Sequence, residues 1–328
     1  RGVGIRPHTK TSKCAEIVTR QVDAGVVGLT AATIGEAEAL AEHGFDRLFI
    51  AYPVWAGTRV RARRIRELHE RVDLVVGVES IEAADALGRS AAGASRPLAV
   101  AIEVDCGFRR SGVALGDLVH LANTCRRSGL EVRGAFTYGG HGYHACDAGP
   151  QAGDDEVRTL DAASRLLRAE GIEPAMLSAG STPTALHSAR PPVTDERPGT
   201  YIFGDRQQMA VGTARLEDVS LMVATTVVAS HRDGRFVVDA GSKVVSTDRP
   251  SWLDGYGLFP AYPDARVERL SEHHAVCLTD GPQPSVGEVV AMLPNHCCVV
   301  VNLADELVAV SGGRVVDRWR VISRGANI

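Results

Sequence analysis

From residue 3 to about residue 203 the chain repeats one pattern, a short apolar run of strand length followed by an amphipathic stretch of helical length. The runs fall at 3–7, 26–30, 47–51, 74–78, 98–104, 132–138, 175–179 and 200–203. Helical spacing fills the intervals at 13–24, 34–43, 59–71, 81–91, 115–128 and 156–170. Parallel strands need such crossovers, and a sheet covered by helices is apolar on both faces. Eight runs alternating with helices predict an α/β chain that opens with a (β/α)8 TIM-like barrel.

After Asp205 the texture changes. Helical periodicity gives way to valine-rich runs at 221–230, 235–239, 286–293, 298–303, 306–310 and 314–321. Turn pairs such as Asp233-Gly234 and Gly312-Gly313 separate them, the punctuation of antiparallel structure. The reading is a barrel over 1–204 and a C-terminal all-β domain over 205–328. The chain starts at Arg1 almost directly on its first strand, so a lead-in before it is expected.

Composition narrows the partners. The 328 residues are 45% hydrophobic and 23% charged, enough to bury two cores. A net charge of -4 with no basic cluster argues against a nucleic acid or an anionic membrane as partner. No apolar stretch is long enough to span a bilayer. Seven cysteines, an odd number without a CxxC pair, predict free thiols and a cytoplasmic protein rather than a disulfide framework.

Five segments carry residues suited to chemistry. The first strand runs into Arg6-Pro7-His8-Thr9-Lys10-Thr11-Ser12-Lys13, and the carboxyl ends of barrel strands face the active site. A lysine there can form a Schiff base if cationic neighbours such as Arg6 and His8 lower its pKa; the plain alternative is a polar loop. Ser178-Ala179-Gly180-Ser181-Thr182-Pro183-Thr184 offers backbone N–H groups and hydroxyls for an anion, or simply a helix cap. In Arg197-Pro198-Gly199-Thr200-Tyr201, Gly199 would permit close backbone approach. Tyr138-Gly139-Gly140-His141 ends a strand with a ring and a candidate acid or base. Finally, Pro294-Asn295-His296-Cys297-Cys298-Val299 places His296 and Cys298 two apart, on one face of an extended strand. Imidazole with thiolate suits zinc, although spacing alone favours a turn histidine beside buried cysteines.

These strings together resemble the D-threonine aldolase and D-serine dehydratase family, whose barrel is similar to that of alanine racemase. The segment ending in Lys10 resembles the family's Arg-Pro-His-x-Lys-Thr-His-Lys signature, departing at Ser12 where the family has histidine. The resemblance implies pyridoxal 5'-phosphate in Schiff-base linkage to Lys10, with His8 nearby. It implies phosphate contacts from Gly180, Ser181 and Thr182 and from Arg197, Gly199, Thr200 and Tyr201. Val104-Asp105-Cys106-Gly107-Phe108-Arg109-Arg110-Ser111-Gly112-Val113 resembles another family stretch and implies that Arg110 faces the substrate carboxylate or the cofactor's O3' side. Tyr138 would pack on the pyridine ring and His141 would act near the substrate. His296 and Cys298 would bind a divalent metal, zinc first, with manganese or magnesium as alternatives. A second departure is His273, where the family has glutamate.

The implied activity is a metal-assisted lyase for a small D-β-hydroxy-α-amino acid, in a homodimer. Cys298 favours the dehydratases, while Val301-Asn302-Leu303 and Trp319 to Arg324-Gly325 favour the aldolases; the balance leans to retro-aldol cleavage. Two other classes stand against it. A racemase would share Lys10 but needs no metal, and a non-catalytic cofactor carrier would lack the β domain.

Overall fold

The computed structural model describes residues 2–328. Their contacts divide the chain into two compact units, Arg1–Gly199 together with Ala326–Ile328, and Thr200–Gly325.

The first unit is the (β/α)8 barrel. Its elements are β1 (Gly4–Ile5), α1 (Ala15–Asp23), β2 (Leu29–Ala31), α2 (Ile34–Glu42), β3 (Arg47–Pro53), α3 (Arg59–Arg71), β4 (Asp73–Val78), α4 (Ile81–Ala91), β5 (Ala99–Glu103), α5 (Leu118–Arg127), β6 (Glu131–Phe136), α6 (Ala148–Ala169), β7 (Met176–Ala179), α7 (Ala185–Ser188) and β8 (Asp195–Glu196). The strands pair in parallel in the order β1-β8-β7-β6-β5-β4-β3-β2. The ring closes between β1 and β2, where Val27 N–H donates to the Ile5 carbonyl, Thr30 N–H to Pro7 and Thr9 N–H to Thr30, each at 2.9 Å.

Alternation along the strands builds two apolar layers. Leu48, Ile50, Leu74, Val76, Val100 and Ile102 pack outward against the helices, while Phe49, Val75, Ala99, Ala101, Phe136 and Met176 form a separate interior cluster. Phe49 and Phe136 meet edge to face at 5.1 Å. Helix starts are capped by side chains: Thr33, Thr58 and Ser80 accept from the N–H groups of Glu36, Arg61 and Ala83. The last residues return to this unit, where Thr33 donates to the Ala326 carbonyl at 2.7 Å and Gly35 N–H to that of Ile328 at 3.2 Å.

The second unit is antiparallel, and several of its elements differ from expectation. It contains α8 (Arg206–Ala210), β9 (Val223–Ser230), β10 (Arg235–Val238), α9 (Ser242–Val245), β11 (Gly257–Leu258), β12 (Arg266–Leu270), β13 (Ala275–Leu278), β14 (Val289–Pro294), α10 (Cys297–Leu303), β15 (Glu306–Ser311) and β16 (Arg314–Arg320). Six strands form one sheet in the order β11-β14-β9-β10-β13-β12, and β15 pairs with β16 alone.

Two predicted strands are not strands. Residues 200–203 form a 3-10 turn (Thr200–Ile202), and the eighth barrel strand is instead Asp195–Glu196, two buried acids that a search for apolar runs passes over. Residues 298–303 lie in α10. Its buried positions, Cys297, Cys298, Val300 and Val301, follow a helical stripe, and Asp205 accepts the Cys297 N–H at 3.0 Å at the helix start. Burial and capping override the strand propensity of three consecutive valines. His296 is therefore a helix N-cap residue and not part of a strand shared with Cys298.

Candidate active site

The chain has three lysines, Lys10, Lys13 and Lys243. Lys13 is buried and its Nζ lies 3.0 Å from Glu36, itself buried; Lys243, in the second unit, pairs with Glu272 at 2.6 Å. Lys10 forms no such ion pair among the described residues and sits in the loop that follows β1. Two residues before it, the buried Nδ1 of His8 has no hydrogen-bond partner among the described residues. Burial, and then the charges of Lys10, Arg197 and Arg110, hold the His8 pKa well below its usual value, so its ring is neutral. The charges of Lys10, Arg197 and Arg110 are thus felt at one imidazole, while Arg197 is also faced by Asp195, Glu156, Glu196 and Glu103.

The two candidate phosphate segments are placed differently. Gly180 follows β7 with a positive φ of 104°, and a Cβ there would strike the Glu196 carboxylate. Beyond it the Ser181 N–H donates to Thr184 Oγ1 at 2.9 Å, and the two hydroxyls lie 3.0 Å apart, a tight turn that includes Thr182 and leads into α7. Gly199 lies where a Cβ would come within 2.6 Å of Thr11 Oγ1 and 3.3 Å of His8 Cβ, so its segment lies against the Lys10 loop. Arg197 itself points into the barrel. It donates to Ser178 Oγ at 2.7 Å and to the Thr137 carbonyl at 2.5 Å, above the rings of Phe136 and Phe49. Thr200 and Tyr201 belong to the second unit, where Thr200 Oγ1 is buried without a partner among the described residues and Tyr201 is exposed.

Arg110 lies over the Tyr138 ring at 4.4 Å, and Phe108 meets Tyr138 edge to face at 5.4 Å. Glu103, Asp105 and Ser111 complete the walls of this cleft. Its turn is shaped by Asp105, whose Oδ1 accepts from the N–H groups of Gly107 (2.9 Å) and Arg109 (3.0 Å). The His141 Nε2 lies 3.1 Å from Asp155 Oδ2, and its buried Nδ1 is without a partner among the described residues. A histidine fixed at one nitrogen by a carboxylate and unused at the other is arranged to exchange a proton with a ligand.

In the second unit His296 and Cys298 stand at the start of α10. His296 Nδ1 lies 3.2 Å from Asp205 Oδ2, and Asp205, fully buried, also accepts from Gln208 N–H at 2.8 Å. Burial would lower the His296 pKa, but the hydrogen bonds and charges of Cys298 and Asp205 raise it well above the usual value. With Nδ1 held by a carboxylate, the ring also hydrogen-bonds Cys298, so imidazole and thiol stand together as a donor pair that a divalent cation could take. The donor set fits a divalent cation. Among the described residues no third His, Cys, Asp or Glu joins the pair.

Sequence reasoning missed Asp205 as part of this site, and it missed two buried acids beside Gly180. Glu156 and Glu196 are both buried. Burial first, and the neighbouring Glu156 next, push Glu196 up to about 8. The folded state therefore keeps a proton that the unfolded chain releases near 4.5. Stability from this group is full below that value and is lost as pH rises towards about 8. Urea unfolding across this range should show stability falling with pH, and Glu196→Gln should flatten the fall; an unchanged slope would show that Glu196 ionises normally.

Comparison with known proteins agrees with this architecture. The family "Alanine racemase, N-terminal domain" matches residues 2–207, and "Putative serine dehydratase domain" matches 220–310. D-threo-3-hydroxyaspartate dehydratase of Delftia sp. (strain HT23) is 30% identical, over 97% of this chain and 90% of its own. Its solved structure superposes with a TM-score of 0.90, at 29% identity and the same coverage. That dehydratase has also been solved with a cysteine replaced by alanine, in the metal-free form. D-threonine aldolase of Arthrobacter sp is 29% identical over 98% of this chain and 86% of its own. The crystal structure of D-threonine aldolase from Filomicrobium marinum gives a TM-score of 0.89 at 27% identity, covering 100% of this chain and 90% of that one. With both domains matched and the relatives aligned over nearly its whole length, the chain belongs to the D-threonine aldolase and D-serine dehydratase family of enzymes, built on an alanine-racemase-like barrel.

Proposed function

We propose that this enzyme is a pyridoxal-phosphate- and metal-dependent lyase of D-β-hydroxy-α-amino acids, and that it dehydrates them to a keto acid and ammonia. The observation that carries the reading is the pair of His296 and Cys298, fixed by Asp205, in the same chain as a lysine that stands apart from the ion pairs of the other two. When bound, pyridoxal phosphate would supply an electron sink for the bond broken at Cα, and a divalent cation a Lewis acid for the β-oxygen.

This chain's own residues do the rest. Lys10 holds the cofactor and moves the proton at Cα. Neutral His8 lines the Lys10 loop without adding a further positive charge. Arg110, held over Tyr138, binds the substrate carboxylate and so selects which hand of Cα presents its hydrogen to Lys10. His141, backed by Asp155, exchanges a proton at the leaving oxygen. Asp205 keeps one His296 nitrogen occupied and the other directed to the cation.

Retro-aldol cleavage to glycine and an aldehyde is the second reading, supported by Val301-Asn302-Leu303, by the Trp319 to Arg324-Gly325 ending and by the aldolase relatives. Cys298 tips the choice to elimination, together with the Delftia dehydratase, 30% identical over 97% of this chain. Incubation with D-serine, D-threonine and D-threo-3-hydroxyaspartate, cofactor and zinc saturating, should release keto acid and ammonia. The L-forms should react at least about a hundredfold more slowly. Glycine and aldehyde would establish the aldolase instead, and equal rates on both hands would show that the site is not built this way.

A further inference from the structure

Glu156 lies on the buried face of α6, alongside Ala152, Val157 and Leu160, where a charged side chain is costly. Its Oε1 is spent in one way. It accepts the N–H of Gly139 at 2.7 Å and the N–H of Gly180 at 3.0 Å. Gly139 begins the loop that follows Tyr138 beyond β6, and Gly180 directly follows β7 and opens the Ser181–Thr182 turn. One carboxylate oxygen thus joins the two adjacent strand ends that, on the function proposed above, face the cofactor's ring and its phosphate.

Both partners are glycines for a steric reason. A Cβ at Gly139 would come within 2.8 Å of Glu156 Cδ, and one at Gly180 would strike Glu196. At Gly139 it is Glu156 itself that leaves no room for a side chain; at Gly180 the constraint comes from Glu196 and from the positive φ. Burial raises the Glu156 pKa, and glutamine is the replacement that keeps an acceptor oxygen at the same reach.

We infer that Glu156 is a positioning residue, which sets the spacing between the Tyr138–Gly139 and Gly180–Ser181 loops and so matches the site to a ligand that must be held at ring and phosphate together. The inference rests on the cofactor reading, and the test separates the two. Apo-protein is titrated with pyridoxal phosphate and, separately, with pyridoxal, which lacks the phosphate and engages one loop only; binding is followed by absorbance and the thermal midpoint is recorded for each variant. Glu156→Ala, or Glu156→Asp if the alanine variant does not fold, should weaken pyridoxal phosphate roughly ten- to hundredfold while changing pyridoxal affinity only about twofold. Glu156→Gln, which keeps an acceptor oxygen at the same reach, should bind within about threefold of the parent.

Equal losses for both ligands, or no loss for either, would overturn the inference and leave Glu156 a structural acid. Failure of the parent protein to bind pyridoxal phosphate at all would overturn the cofactor reading and this inference with it.

Discussion

Lys10→Ala should yield a folded, colourless protein whose lyase activity is at least about a thousandfold below the parent. The loss is so large because the same nitrogen carries the cofactor and moves the proton at Cα, so no partial function survives its removal. The other two lysines sharpen the result. Lys13 is in a buried ion pair with Glu36, and removing one partner strands a charge in the interior, which costs about 3–5 kcal/mol. Lys13→Ala should therefore unfold at lower temperature yet remain coloured at low temperature. Lys243, paired with Glu272 in an exposed position, should tolerate alanine with little change in either respect. Borohydride reduction followed by peptide mapping reads the assignment directly, because the adduct should fall on Lys10. A reduced adduct on Lys13 or Lys243 would remove the basis of the proposed chemistry.

Much of the barrel was legible because its signal is local. Alternation of Leu48, Phe49 and Ile50, or of Leu74, Val75 and Val76, is read from neighbouring residues and matches the two apolar layers around the strands. What failed was structure specified by distant partners. β8 is Asp195–Glu196, and acids become a barrel strand only because β1 and β7 pair with them. β12 exposes Arg266 and Glu268 and buries Val267, too little apolar character to stand out. α10 carries three valines and becomes helical through burial and a cap from Asp205, 92 positions away. The site divides the same way. Lys10, Gly180 and Gly199 belong to contiguous strings that the family resemblance could identify. Asp205 and Glu156 act through side chains that meet backbone or imidazole elsewhere in the chain, and no spacing rule points to them. Their one local mark is an acid within an otherwise buried stretch.

The metal pair gives the second large effect. Purified enzyme should carry about one zinc per chain by elemental analysis, and His296→Ala or Cys298→Ala should reduce both zinc and turnover to near background. Cys297→Ala is the comparison variant: it removes a thiol that hydrogen-bonds Asp205 and Cys298 but keeps the backbone N–H donated to Asp205, so zinc should be retained. Asp205→Asn is the more informative variant. The amide can still accept at one atom, but it no longer offers two anionic oxygens to the N–H groups of Gln208 and Cys297 and to His296 Nδ1. Zinc affinity should fall about ten- to hundredfold, and added zinc should restore turnover. A variant that had lost only the fold would not recover in that way. The cofactor absorbance should persist in all these variants, because Lys10 does not depend on the cation for its linkage. Full turnover in zinc-free parent enzyme would contradict metal-assisted loss of the hydroxyl and would favour racemase-type chemistry at Lys10 instead.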